Sequence, residues 1–146
     1  MNYSWKEFEE DSKALAKQIT ENYDILLIIT RGGLFLGGMI AELKELRSIR
    51  VFNISSYEGR VQIESVSGDY FNDFIEFEGK KVLVIDDIAD TGNTLDQLRK
   101  LLCEHLLFPE KASIMTLFWK KRSKIKPDFF AREVPDDEWI VFPWES

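Results

Sequence analysis

Apolar positions fall into two kinds of run along this chain. Ile25 to Ile29, Val82 to Ile85 and Ala112 to Phe118 are nearly continuous and rich in β-branched residues, and Val51 to Tyr57 has a similar cast. Such runs predict strands, and continuity without alternation predicts strands buried on both faces of a parallel sheet. Between them, apolar residues recur at helical spacing. Ser4 and Glu7 form a Ser-x-x-Glu capping box, so a helix is expected from there to about Thr20, with Trp5, Phe8, Leu15 and Ile19 in the core. A second helix is expected from about Leu34 to Leu46, and a third carries Leu95, Leu98, Leu102 and Leu106. Strands alternating with helices predict an α/β fold, a mostly parallel twisted sheet flanked by helices.

One stretch breaks this rhythm. From Glu58 to Glu78 no period persists, and Gly59, Gly68, Asp69, Asn72 and Asp73 interrupt it. A loop of that length inside a compact domain predicts a functional flap over roughly 58–78 rather than a passive connection. The tail from Pro127 onward is dense in aromatics: Phe129, Phe130, Trp139, Phe142 and Trp144. With no repeat and no linker, 1–146 reads as one domain.

Composition narrows the partners. The 146 residues carry a formal net charge of −7, which argues against a nucleic-acid partner. No run of about 18 apolar residues is present, so no transmembrane segment is expected. The opening Met-Asn-Tyr-Ser-Trp-Lys-Glu lacks a signal-peptide pattern. The single cysteine, Cys103, excludes an internal disulfide and is expected to be a buried thiol, and the single histidine, His105, is expected to be structural. Together these predict a cytoplasmic protein.

The candidate chemistry is concentrated in Val82 to Thr94, Val-Leu-Val-Ile-Asp-Asp-Ile-Ala-Asp-Thr-Gly-Asn-Thr. Asp86 and Asp87 are placed where the strand ends, and open α/β sheets bind ligands at the carboxyl ends of their strands. Thr91, Gly92, Asn93 and Thr94 can turn the chain into a helix whose first N–H groups form an anion site. The product is a phosphate cradle beside two carboxylates suited to hydroxyl groups or a hard cation. A response-regulator receiver also has a strand ending in two acidic residues, but near the start of its domain rather than past the middle. The stretch resembles the 5-phosphoribosyl-1-pyrophosphate (PRPP) motif of the type I phosphoribosyltransferases, and the type I phosphoribosyltransferase fold with a small hood is what the resemblance implies.

Other segments extend the likeness. Thr30-Arg31-Gly32-Gly33 follows the first strand, where two glycines permit close backbone approach and Arg31 supplies a planar cation for phosphate oxygens. With Leu34 it resembles the Ser-Arg-Gly-Gly-Leu pyrophosphate loop of the bacterial xanthine-guanine phosphoribosyltransferases, with Thr in place of Ser. Ile54 to Tyr57 is similar to the segment that opens that family's hood. Thr116-Leu117-Phe118-Trp119-Lys120 is similar to the strand ending in the lysine that meets the purine 6-oxo group, and Asp137 to Ile140 with Pro143-Trp144-Glu145 to the purine-stacking segment within 127–146. Chemically, a 6-oxopurine needs a donor at O6, which a lysine ammonium provides, and a flat apolar surface, which Trp139 provides. One residue of register would exchange Lys120 for Lys121, and the basic run from Lys120 to Lys126 can also be read as a solvated edge.

The resemblance implies a purine salvage enzyme transferring ribose 5-phosphate from PRPP to guanine, xanthine or hypoxanthine with release of pyrophosphate. It implies Mg²⁺ as cofactor, with Asp86, Asp87 and Glu145 toward the metal and Asp86 and Asp87 on the ribose hydroxyls. Thr30, Arg31, Gly32 and Gly33 with Asp90, Thr91, Gly92, Asn93 and Thr94 would hold PRPP, and Asp90 would take the N7 proton of the base. Lys120, Trp139 and Ile140 would bind the purine. A homodimer or homotetramer is expected. The rival reading is a PRPP- or nucleotide-sensing regulatory protein on the same fold.

Overall fold

The computed structural model describes residues 1–57, 60–65, 77–105 and 112–145. They form three helices and seven strands. The helices are α1 (Trp5–Gln18), α2 (Gly33–Leu43) and α3 (Asn93–His105). The strands are β1 (Ile25–Thr30), β2 (Ile49–Tyr57), β3 (Arg60–Ser65), β4 (Val82–Ile85), β5 (Ile88–Ala89), β6 (Ala112–Trp119) and β7 (Phe129–Glu133). They form one sheet in the order β3-β2-β1-β4-β6-β5, with β7 also paired to β6. Every pairing is parallel except β2 with β3.

The continuous apolar runs are buried on both faces, for the reason their sequence implies. Leu26 and Ile28 of β1 join one core layer with Phe8 and Leu15 of α1 and Leu36 and Ile40 of α2. Ile25, Leu27 and Ile29 join the opposite layer with Leu95, Leu98 and Leu102 of α3. Alternate side chains of one strand thus seal against helices on either side. Space between α2 and β1 is tight: a methyl on Gly37 would lie 2.4 Å from Ile28 Cδ1. The capping box is formed, Ser4 Oγ accepting from the Glu7 N–H at 3.2 Å while the Glu7 carboxylate accepts from the Ser4 N–H at 2.8 Å.

Several expectations are corrected. Trp5 is 51% exposed, because its ring meets Phe35, itself exposed, and Trp144 instead of entering the core. Cys103 is half-buried rather than buried. The aperiodic segment after β2 begins with strand: Arg60–Ser65 pairs antiparallel with Phe52–Tyr57 as a hairpin. The remainder of the expected flap from Glu58 to Asn72, Asp73 and beyond to residue 76, like Leu106, lies outside the described residues, apart from Phe77 and Glu78, with Phe77 fully buried in the α3-side core.

β4 ends at Ile85, immediately before the acidic pair, as expected, and the short β5 resumes beyond it. Ile85 sits opposite Met115 and Ile88 opposite Phe118, so β4 and β5 keep one register along β6 with only Asp86 and Asp87 unpaired between them. The Asp86 N–H donates to Met115 O at 3.2 Å, and Asp87 O accepts from both Leu117 N and Phe118 N. β6 therefore holds the backbone of the pair.

Candidate active site

Two clusters sit at the carboxyl end of the sheet. The first joins the glycine turn after β1 to the acidic pair. The Thr30–Arg31 peptide is cis, and Thr30 Oγ1 reaches Phe52 O and Asn53 Oδ1 of β2 at 3.4 Å each. Gly32 lies directly against Asp87, where an added methyl would fall 2.4 to 2.6 Å from its carboxylate atoms. A methyl on Gly33 would meet Ile85 O at 2.5 Å. Both glycines are needed for close approach.

A cleft of about 590 Å³ opens here, lined by Arg31, Gly32, Leu34, Phe35, Asp87, Trp144 and Glu145. Trp144, which the sequence reading placed in the purine-stacking segment without a role of its own, is stacked between Phe35 at 4.7 Å and Phe142 at 4.8 Å and forms one wall. Glu145 is fastened by its own backbone neighbourhood, its carboxylate accepting from the Phe142 N–H at 3.0 Å.

Asp86 and Asp87 face each other without a cation. The Asp87 N–H donates to Asp86 Oδ1 at 2.9 Å, and among the described residues no Lys or Arg pairs with either carboxylate. Burial, then the Asp87 charge, pushes Asp86 well above the usual carboxylate range. Burial raises Asp87 also, with Glu145 adding to the effect. Two crowded, desolvated carboxylates lacking a counter-charge suit a divalent ion. Among the described residues, though, no three acidic, imidazole or thiol groups converge on one point, so any such ion would take most of its shell from substrate and water.

The second cluster joins Asp90 to the turn after β6. Gly92 has φ +75°, a left-handed conformation, and a methyl there would strike Ser123 Oγ at 2.4 Å. The two turns are also linked by Lys124 N to Thr91 O at 2.9 Å and Lys120 N to Ala89 O at 3.0 Å. Asn93 opens α3, its N–H 3.4 Å from Thr91 Oγ1, and Thr94 follows in the first turn. Lys120 is only 4% exposed, and its Nζ lies 3.4 Å from Asp90 Oδ1. Lys121 points elsewhere, exposed and paired with Glu133 at 3.2 Å. Arg122 brings Nε to Asp90 Oδ1 at 2.8 Å and adds a contact from its Nη2. Arg122 was absent from the expected site. In sequence it is one cation in a basic run, and only the fold brings it to Asp90.

The remaining expected residues stand apart. Trp139 is 77% exposed, a flat ring presented to solvent. The Ile140 side chain packs into the α1–α2 core, which leaves only its backbone for a ligand. The segment is pinned by Tyr3 N to Val141 O and Val141 N to Met1 O.

Comparison with known proteins shows which family the chain belongs to. The model of the phosphoribosyl transferase domain matches residues 3–146. The chain belongs to the phosphoribosyltransferase family. A xanthine-guanine phosphoribosyltransferase of Nitratidesulfovibrio vulgaris is 33% identical over 145 residues, covering 98% of this chain and 83% of the relative. The solved xanthine-guanine-hypoxanthine phosphoribosyltransferase of Helicobacter pylori superposes with a TM-score of 0.77 at 31% identity, covering 99% of this chain and 90% of that one. A purine phosphoribosyltransferase of Pyrococcus horikoshii shares the fold, with a TM-score of 0.80 at 24% identity and coverage of 100% and 94%. The fold of this phosphoribosyltransferase is accordingly type I, as its motif implied. No helix among the described residues is long and apolar enough to cross a membrane.

Proposed function

We propose that this phosphoribosyltransferase transfers ribose 5-phosphate from PRPP to a 6-oxopurine and releases pyrophosphate. The observation that carries the choice of base is Lys120: a buried ammonium beside Asp90, at the end of the strand next to the PRPP motif. An ammonium donates hydrogen bonds and accepts none, so it suits the O6 acceptor and opposes the 6-amino group of adenine. Xanthine-guanine and xanthine-guanine-hypoxanthine enzymes among the relatives support the same class.

In this reading Thr91, Gly92, Asn93 and Thr94 bind the 5′-phosphate through the start of α3. Thr30, Arg31, Gly32 and Gly33 form the pyrophosphate loop, with Arg31 and Gly32 lining the cleft. Asp86 and Asp87 accept the ribose hydroxyls, and with Glu145 they would hold Mg²⁺, which when bound supplies positive charge to the departing pyrophosphate. Trp139 stacks on the base, and the backbone at Ile140 edges it. As the N9–C1′ bond forms and the C1′–O bond breaks, the N7 proton passes to Asp90. Most of the rate enhancement then comes from positioning and charge placement around an oxocarbenium-like transition state.

The test is a purine panel assayed for pyrophosphate release with PRPP and Mg²⁺. At least one of guanine, xanthine and hypoxanthine should exceed adenine by roughly 100-fold in kcat/KM, about 2.8 kcal/mol. Lys120→Met should remove most of that preference, while Lys121→Met should leave it within a few-fold. Adenine as best substrate would overturn the choice of base, and absence of any purine-dependent release would favour a PRPP-binding regulator.

A further inference from the structure

Every contact that the described residues make to the Asp90 carboxylate falls on one oxygen. Arg122 Nε reaches Oδ1 at 2.8 Å, its Nη2 reaches the same atom, and Lys120 Nζ lies 3.4 Å away from it. Oδ2 receives none. The carboxylate is only partly exposed, and the residues that crowd Oδ1 come from the turn after β6 rather than from its own loop. Arg122 is itself held at the backbone, its N–H donating to Asp136 Oδ1 at 3.1 Å. Nothing in the proposed chemistry has yet used it.

We propose that Arg122 is a positioning residue that orients Asp90 for proton transfer, which rests on the reading of Asp90 as the general base. An aspartate carboxylate, on a single methylene, rotates about χ2, and its two oxygens are chemically equal until something distinguishes them. A guanidinium fork does so, because its geometry is planar and its donors are fixed relative to one another. With Oδ1 occupied, Oδ2 is the oxygen left for the base. In the transfer the N9–C1′ bond forms, the C1′–O bond to pyrophosphate breaks with its electron pair leaving on oxygen, and the N7 proton moves to Oδ2. Arg122 stays on Oδ1 throughout and touches no reacting atom.

The division of labour with Lys120 follows from exposure. Lys120 is buried and has donors to spare for O6, whereas Arg122 is half-exposed and both of its described side-chain contacts go to Asp90. Removing Arg122 therefore leaves substrate binding largely in place and loosens only the base. Its own backbone anchor at Asp136 and the neighbouring contact between Gly92 and Ser123 should keep the two turns together without it.

A four-member cycle tests this with the 6-oxopurine that the parent uses best: parent, Arg122→Met, Asp90→Asn and the double variant, each checked for parental melting behaviour. Arg122→Met should lower kcat by roughly 10- to 100-fold, inside the 10²- to 10⁴-fold that general-base help supplies, with KM for PRPP within twofold. In the Asp90→Asn background the same substitution should change kcat less than threefold. Arg122→Lys should recover part of the loss, and Arg122→Gln replaces the Met variant if that one fails to fold. An undiminished effect in the Asp90→Asn background would place Arg122 on substrate or in the fold and overturn the inference. So would parental kcat in Arg122→Met beside a slow Asp90→Asn, which leaves the base assignment standing. Parental kcat in Asp90→Asn overturns the base assignment itself.

Discussion

At the scale of single residues, neighbouring glycines separate function from folding. The two glycines after β1 meet different neighbours: Gly32 meets a side chain, the Asp87 carboxylate, and Gly33 meets a backbone oxygen, Ile85 O. A side chain can swing aside and a strand backbone cannot. Gly32→Ala should therefore fold and lose at least tenfold in PRPP affinity, about 1.4 kcal/mol, because Asp87 must leave its place. Gly33→Ala should cost about 1–3 kcal/mol of stability. Denaturant titration and calorimetry of both variants decide it, and equal stability losses would deny the distinction. The acidic pair makes the opposite kind of case. Asp86 is held above its ordinary range by burial and by Asp87, so relieving the charge should help the ligand-free fold. Asp86→Asn with Asp87→Asn should raise stability by about 1 kcal/mol, a few degrees in melting temperature, while abolishing Mg²⁺-dependent PRPP binding. A double variant that melts lower than the parent, or still binds PRPP, would refute the pairing of these two effects.

At the scale of elements, α1 offers a pH-dependent test. Hydrogen bonds from the Ser4 backbone and side chain, and then Arg132, hold the Glu7 carboxyl below its ordinary value of 4.5. Its contribution is present above 4.5 and is lost as pH falls through the lower folded value. The melting temperature of Glu7→Gln should lie below the parent's near neutrality, and the gap should close on acidification below 4.5. A gap that persists to strongly acid pH would trace the difference to packing. Elements also show what was readable in advance. The strand-to-helix stretch from Val82 to Thr94 was legible because its chemistry is contiguous, and the capping box because four residues suffice to define it. β5 was not, since two residues carry no period, nor was β7, whose Phe-Phe-Ala-Arg-Glu reads as a tail. Arg122 was hidden for another reason: its partner lies 32 positions away. The surface position of Trp5 depends on Phe35 and Trp144, which no local pattern reports.

At the scale of the molecule, ligand sites should couple to stability as a whole. Both clusters rest on strands buried between two core layers, so binding is felt by the cooperative unit rather than by a loop alone. PRPP with Mg²⁺ at about 100 times its dissociation constant should stabilise the parent by about 2.7 kcal/mol, read as a concentration-dependent rise in melting temperature. Mg²⁺ alone should do little, since the described carboxylates do not by themselves close a metal site. A full shift with the ion alone would require a preformed cage.

The unbroken register across Asp86 and Asp87 has a consequence for how this sequence can vary. Because Ile85 and Ile88 are both fixed against β6, the two acidic residues act as a spacer of set length. One residue more or fewer would turn Ile88 and Ala89 to the opposite faces of the sheet and carry Asp90 away from Lys120 and Arg122. Loops at either end of the sheet can grow or shrink without that penalty. Directed evolution of this chain should therefore accept insertions almost anywhere around the site before it accepts one between Ile85 and Ile88.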